Sequence, residues 1–421
     1  AAGEVFQFCD AGADHERLSV NPMLPASGYG GAPRSFVDVS DRIKCLMRRL
    51  CRNGPCGGAP FFVGLPPRKL HPSGVNRGAI RTCVIMEGMK GVRGVLIGQR
   101  QSPRGRFAPT PSGYLHLGNA ASALLAWLQI RSERGTFILR VEDLDKPRCK
   151  PAYAEALIDD LKWLGLDWDE GPDKGGPDAP YSQSERGELY ELALERLQAD
   201  GWLYPCYCSR ADLLSAASAP HGVAAEGGAY PGTCRRLGPE ERQERARRKT
   251  PSLRFAMPDR EFRFADGIAG LRAFPPGAGG DFVVKRADGI VGYQLAVVVD
   301  DIAMSVTDVL RGWDLLDSTP RQLALYEALG ANPPRFAHGP LLLGPDGSRL
   351  SKRHGSVTLA SLREQGAAPE KVTGFLAWLA GVIDRPEPVR PCELTDAFAL
   401  GRIPREAVAL PERWQEKWIS S

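Results

Sequence analysis

The sequence predicts an α/β protein built on a parallel sheet, and two observations carry that prediction. From residue 106 onward, apolar runs of strand type alternate with runs at helical spacing. Glycine- and proline-rich polar loops fall at the ends of the strand-like runs, which is where ligands bind in open α/β sheets. The 421 residues exceed one ordinary domain, so more than one unit is expected.

The elements follow in order. In GRFAPTPSGYLHLGN, residues 105–119, a strand breaks through a proline-restricted loop into a helix. Gly118 lets the backbone approach a ligand closely, the helix N-terminus favours an anion, and His116 can donate to phosphate oxygens. Taken alone, such a histidine serves equally well as a structural hydrogen-bonder. ASALLAWLQIRSERG, residues 121–135, has helical spacing and stops at Gly135. TFILRVEDLD, residues 136–145, reads as a buried strand whose carboxyl end delivers Glu142, Asp143 and Asp145. YAEALIDDLKWLGLDW, residues 153–168, reads as a second amphipathic helix.

A second loop, GPLLLGPDGSRLSKRHGS at 339–356, sets Arg349, Ser351, Lys352 and Arg353 between glycines and prolines. A charge run is usually a solvated loop. Two phosphate-compatible loops more than 200 residues apart on an alternating chain point instead to one nucleotide site assembled from both.

The first hundred residues differ in kind. They carry 14 Lys and Arg against seven Asp and Glu, whereas the remainder is slightly acidic, so any polyanion must meet a local basic patch. GYGGAPRSF, RRLCRNGPCGGAPFF and GLPPRKLHPSGVNRG lack helical or alternating periodicity. Residues 1–100 are therefore expected to be disordered or a dispensable extension, since Met86 and Met89 lie just before the first organised motif, with a functional tail as the alternative. A transit peptide fits poorly with Asp10, Asp14, Glu16, Asp38 and Asp41.

No apolar run approaches the roughly 20 residues that span a bilayer, which excludes an integral helical membrane protein. Five cysteines (Cys9, Cys45, Cys51, Cys56, Cys83) lie in the first hundred residues at spacings that match no zinc pattern. Mostly unpaired cysteines in a chain of this size suggest a reducing cytoplasm. Cys206, Cys208 and Cys234 cluster, offering three soft ligands where tetrahedral zinc wants four. Tyr230 and His221 are the candidates for the fourth, and three reduced cysteines without metal are the bland alternative.

His116-Leu117-Gly118-Asn119 and Arg349-Leu350-Ser351-Lys352-Arg353 resemble the two nucleotide-binding motifs of class I aminoacyl-tRNA synthetases. RFAPTPSGYLHLGN, RVEDLD and VLRGWDLL resemble the bacterial glutamyl branch, and the resemblance spans about residues 104–385. Asn119 stands where many members have a second histidine, and Arg349 where many have lysine.

The resemblance implies a Rossmann-type catalytic domain over 104–318 with a zinc-bearing insertion at about 200–250. It also implies a helical C-terminal region over 319–421 that carries the second loop. It implies ATP bound by His116, Gly118, Asn119, Ser351 and Lys352, with Mg²⁺ accompanying it. His116 and Lys352 would be catalytic, stabilising charge on the α-phosphorus as the glutamate carboxylate attacks it.

L-Glutamate would be held by the segment Arg106, Phe107, Ala108, Pro109 and Thr110, with Glu142, Tyr293 and Arg311. Arg106 and Arg311 match positions that take its carboxylates, Glu142 matches the partner of its ammonium, and Tyr293 matches a further hydrogen-bonder. For Arg311 and Glu142 the ordinary reading is a mutual ion pair. The Cys206, Cys208, Tyr230, Cys234 arrangement resembles the structural Zn²⁺ element of one synthetase-like group.

Only 69 residues follow Lys352, too few for the anticodon-binding domains of a full glutamyl synthetase. This is the pattern of a stand-alone paralogue that activates glutamate without tRNA and attaches it to the queuosine base in the anticodon of tRNA(Asp). The alternative is a truncated glutamyl-tRNA synthetase charging the 3′ end of tRNA(Glu). A non-catalytic RNA-binding module would show damaged motifs, yet His116, Gly118, Glu142, Arg311 and Lys352 are all present. A monomer is expected. The run RRLGPEERQERARRK at 235–249 is a candidate tRNA contact, but its mixed signs favour an exposed charged helix.

Overall fold

The computed structural model describes residues 102–209, 212, 230, 232–348, 350 and 357–419. In chain order the first elements are β1 (Arg104–Phe107), α1 (Leu117–Ser132), β2 (Thr136–Leu139), α2 (Pro151–Trp163) and α3 (Gly187–Ala199). Next come β3 (Leu203–Cys206), α4 (Pro239–Arg248), β4 (Ser252–Phe255), β5 (Phe262–Asp266), β6 (Gly270–Phe274) and β7 (Phe282–Lys285). The chain continues with α5 (Tyr293–Ala303), β8 (Asp308–Gly312), α6 (Thr319–Ala328), β9 (Arg335–Gly339) and β10 (Leu342–Leu343). It closes with α7 (Leu359–Glu364), α8 (Pro369–Leu379) and β11 (Val408–Ala409).

The central sheet runs β2-β1-β8-β9 with every neighbour parallel. Parallel strands need crossovers, and α1 supplies the one between β1 and β2. α1 is buried on nearly every side, from Leu117 to Ile130, because the sheet covers one face and α8 the other. Its closeness to β1 requires glycine at 105, where a Cβ would lie 2.4 Å from Ile130 Cγ1. The parallel register sets Arg106 beside Ile138 and Arg311 beside His338, so the carboxyl ends of β1, β2 and β8 open on one rim.

After α3, β3-β4-β7 form an antiparallel sheet reaching Lys285, and β5 and β6 form a hairpin whose β5 strand packs against β9. β6 is nowhere fully buried and β5 is buried only at Phe262 and Asp266, so this hairpin lacks the buried apolar run that marks β2. Past residue 319, β9 joins the central sheet, pairing with β8 from Asp308↔Arg335 to Gly312↔Gly339. Helices α7 and α8 and the segment to Ile419 share a core with α1, while α3, α5 and α6 share another with the insertion. No helix among the described residues is long and apolar enough to cross a membrane.

Candidate active site and metal-binding cluster

A cavity of about 570 Å³ opens at the carboxyl rim of the sheet. It is lined by Arg106, Phe107, Ala108, Pro109 and Thr110 at the end of β1 and by His116, Gly118 and Asn119 at the start of α1. Glu142, Tyr293 and Arg311 complete its predicted lining, so two motifs and three isolated positions meet in one place. Ser351 and Lys352 lie outside the described residues, as do Arg349, Arg353 and His221. Leu350, between them, lines the cavity.

The cavity floor is an ion network. Arg140 is fully buried and its guanidinium meets Asp301 at 2.7 Å, Glu142 at 3.2 Å and Asp300 at 3.7 Å. Arg106 donates to the same Asp301 through Nε at 3.3 Å and Nη2 at 3.4 Å. Asp300 accepts from Arg186 at 2.6 Å and from Gln183 at 2.8 Å. Burial would push the Asp301 carboxyl up, but Arg106 and Arg140 outweigh it and hold it below its ordinary value. Burial raises Glu142, opposed by Arg140 and Arg106, and it raises the Tyr293 phenol to about 12, with Glu142 adding to the effect.

Arg311 stands apart. It donates from Nε to His338 Nε2 at 2.9 Å, from Nη1 to Gln322 Oε1 at 2.7 Å, and from Nη2 to Thr319 Oγ1 at 2.9 Å and the Leu315 carbonyl at 3.3 Å. No ion pair joins it to a carboxylate among the described residues. Glu142 pairs with Arg140 instead, so the mutual Glu142–Arg311 pair is not formed. A buried guanidinium held by neutral acceptors leaves its charge for an incoming anion.

His116 is the residue before α1, and its Nδ1 is buried without a hydrogen-bond partner. Burial lowers its pKa against the pull of Asp314, so the imidazole is neutral near pH 7 and acts as a donor rather than a cation. Gly118 sits under the ring, where a Cβ would come within 3.2 Å of His116 Nδ1 and Cε1. The Leu359 amide donates to the Leu115 carbonyl at 2.8 Å, and Thr358 caps α7 by accepting from the Ser361 amide at 3.1 Å.

The residues that sequence reasoning missed are the supporting ones: Arg140, Asp301, Asp266 and His338. A signal existed in VVVDDIAM, where two acids interrupt an apolar helix, since buried acids need partners.

In the insertion, Cys206, Cys208 and Cys234 place their sulfurs within 4.8 Å of one another. Tyr230 Oη lies 3.5 Å from Cys206 Sγ and 3.4 Å from Cys208 Sγ, and Cys208 Sγ lies 3.6 Å from Cys234 Sγ. Four donors bound to zinc at about 2.3 Å would stand roughly 3.8 Å apart, so the donor set fits a closed tetrahedral ion. The Arg254 guanidinium lies 3.9 Å over the Tyr230 ring, a counter-charge suited to an anionic ligand set. The neighbouring basic run forms α4, which buries none of its residues, as its mixed signs suggested.

Residues 103–399 match the family of tRNA synthetases class I (E and Q), catalytic domain. The chain belongs to this family and is an aminoacyl-tRNA synthetase-like ligase. A glutamyl-Q tRNA(Asp) synthetase of Symbiobacterium thermophilum is 68% identical over 308 residues, covering 73% of this chain and 95% of that protein. A second protein of that name, from Nitratidesulfovibrio vulgaris, is 50% identical over 311 residues, again 73% of this chain and 95% of its own length. It is with the glutamyl-Q tRNA(Asp) synthetases that the chain groups inside the family. The crystal structure of a glutamate-tRNA synthetase from Elizabethkingia anophelis superposes with a TM-score of 0.67 at 32% identity, covering 74% of this chain and 68% of the other.

Proposed function

We propose that the chain activates L-glutamate with ATP, without tRNA, and transfers the glutamyl group to the queuosine base in the anticodon of tRNA(Asp). The observation that carries the glutamate reading is Arg311, a buried cation with no carboxylate partner among the described residues, facing a cavity that also presents Arg106 and Glu142. Two guanidinium groups suit the two carboxylates of glutamate, and Glu142 suits its ammonium. The 68% identity to a glutamyl-Q tRNA(Asp) synthetase supports the queuosine acceptor over the 3′ end of tRNA(Glu).

In the first step an oxygen of the glutamate α-carboxylate attacks the α-phosphorus of ATP, the bond to the bridging oxygen breaks, and pyrophosphate leaves. His116 donates to the phosphate as a neutral imidazole, Gly118 and Asn119 line its approach, and Lys352 with Ser351 supplies charge from the second loop. Arg106, Thr110, Tyr293 and Arg311 hold glutamate so that attack is in line. Mg²⁺ bound with ATP would neutralise phosphate charge. A queuosine hydroxyl then attacks the glutamyl carbonyl and AMP departs. Zn²⁺ would be held by Cys206, Cys208, Tyr230 and Cys234, cross-linking the insertion without an open position for catalysis. The chain works as a monomer in the cytoplasm, and residues 1–100 are dispensable for this chemistry.

Transfer of labelled glutamate to queuosine-containing tRNA(Asp), unmodified tRNA(Asp) and tRNA(Glu) tests the proposal, with Lys352→Ala as control. Label confined to the queuosine-containing tRNA supports it. Label on the 3′ end of tRNA(Glu) would make the chain a minimal charging enzyme instead.

A further inference from the structure

Behind Arg311 lies a buried chain of groups that no substrate reaches. His338, on β9, is fully buried, and so is the side chain of Asp266 at the end of β5. Arg311 Nε carries a hydrogen and points at His338 Nε2 at 2.9 Å, so that nitrogen must be the acceptor. The imidazole proton is then on Nδ1, which faces Asp266 Oδ2 at 2.5 Å. Asp266 is fixed in turn: its Oδ1 accepts from the backbone amides of Ile268 at 3.0 Å, Ala269 at 2.8 Å and His338 at 3.1 Å.

We infer that Asp266 and His338 are positioning residues for glutamate: Asp266 selects the His338 tautomer, and His338 aims Arg311 while leaving its charge uncompensated. This rests on the reading of Arg311 as a glutamate carboxylate ligand. A carboxylate set directly against Arg311 would also orient it but would neutralise it, and the pocket would then lose its preference for anionic glutamate over neutral glutamine. The neutral ring is a spacer. It passes on the orientation set by Asp266 and withholds most of its charge. Burial is the dominant effect and lowers the His338 pKa against the pull of Asp266, with Arg311 and Arg106 acting in the same direction as burial, which agrees with a neutral ring.

Asp266→Asn separates this role from a structural one. The three backbone amides keep the amide oxygen on their side, so the new NH₂ faces His338 Nδ1 and drives the proton to Nε2, where it opposes Arg311 Nε–H. ATP–pyrophosphate exchange with glutamate, glutamine and ATP varied in turn gives the kinetic readout. Nitrogen NMR of the imidazoles gives the tautomer, with His338→Gln identifying the resonance.

Asp266→Asn is expected to raise the glutamate KM about tenfold, narrow the glutamate-to-glutamine preference, leave the ATP KM within about twofold, and move the proton to Nε2. His338→Gln, whose amide can accept from Arg311 and donate to Asp266, is expected to retain most of the wild-type glutamate KM. The inference is overturned by an unchanged glutamate KM, by glutamate and ATP KM values rising together, by an unmoved proton, or by His338→Gln being as impaired as Asp266→Asn. If the wild-type chain shows no glutamate-dependent exchange, the functional reading falls first and this inference with it.

Discussion

The Leu359 amide donates to the Leu115 carbonyl at 2.8 Å, which stitches the helix after the second nucleotide loop to the residue preceding His116. His116 and Thr358 face each other across the same antiparallel bridge. His116 and Thr358, more than 200 residues apart in sequence, are thus held together by main chain rather than by any side chain whose identity would show in the sequence.

That bond can be removed cleanly. Leu359 is the first residue of α7 and Thr358 has extended backbone at ψ 154, so proline is tolerated at 359 while its missing N–H deletes the contact with Leu115. Leu359→Pro is expected to raise the KM for ATP about fivefold, more than Leu359→Ala, which loses more side chain but keeps the amide. Equal effects of the two substitutions on pyrophosphate exchange would show that the bridge does not matter.

Asp301 is shared by Arg106 and Arg140, and removing its charge leaves two buried cations poorly compensated. Asp301→Asn is predicted to cost about 3–5 kcal/mol at pH 7, read by urea unfolding. Because the folded-state carboxyl lies below its ordinary value, its stabilising contribution is complete above the unfolded pKa near 4 and is lost as pH falls below it. The variant and the wild type should therefore converge in stability at acid pH, and a constant gap down to pH 3 would contradict the assignment.

Asp160, on α2, has the opposite sign. It is fully buried, neither carboxylate oxygen has a hydrogen-bond partner, and its nearest cation is Arg363 of α7 at 3.6 Å. Burial raises its pKa to about 6, against Arg363. The neutral form suits the fold, so wild-type stability declines as pH rises from about 4 through about 6. Asp160→Asn is expected to be stabilising by about 1–3 kcal/mol at pH 8 and neutral at pH 4, measured by thermal unfolding. A destabilised variant at pH 8 would mean that the Arg363 pair outweighs the desolvation.

Elemental analysis of the purified chain should find about one zinc ion per molecule, lost in Cys208→Ser together with several degrees of melting temperature. Tyr230→Phe tests the fourth donor, and full zinc retention there would remove the phenol from the ligand set. Chelation should lower stability without altering the glutamate KM, since the cluster lies in the insertion away from the cavity lining.

The cavity was legible where its residues cluster locally: Arg106 to Thr110 and His116 to Asn119 come as motifs, and their loop falls between a strand and a helix. Glu142 was placed at a strand's carboxyl end by pattern, but its role, and Tyr293 and Arg311 altogether, were reached only through family resemblance, because a lone residue looks the same in sequence whether it binds a ligand or a neighbour. The supporting shell was invisible. Asp266 meets His338 across 72 residues and Arg106 meets Asp301 across 195, and no local periodicity records such a pairing.

The pairing of Gly105 with Asp308 puts a strand made early beside one made much later. During synthesis β1, α1 and β2 emerge with their neighbour still unmade, and the edge of β1 that pairs with β8 must wait until residues 308–312 are translated. The cavity is therefore closed late, only once Arg311 on β8 and Leu342 on β10 have been made. A chain released before β8 and β9 would carry His116 and the cysteine cluster yet lack Arg311 and the rest of the cavity wall that β8 supplies.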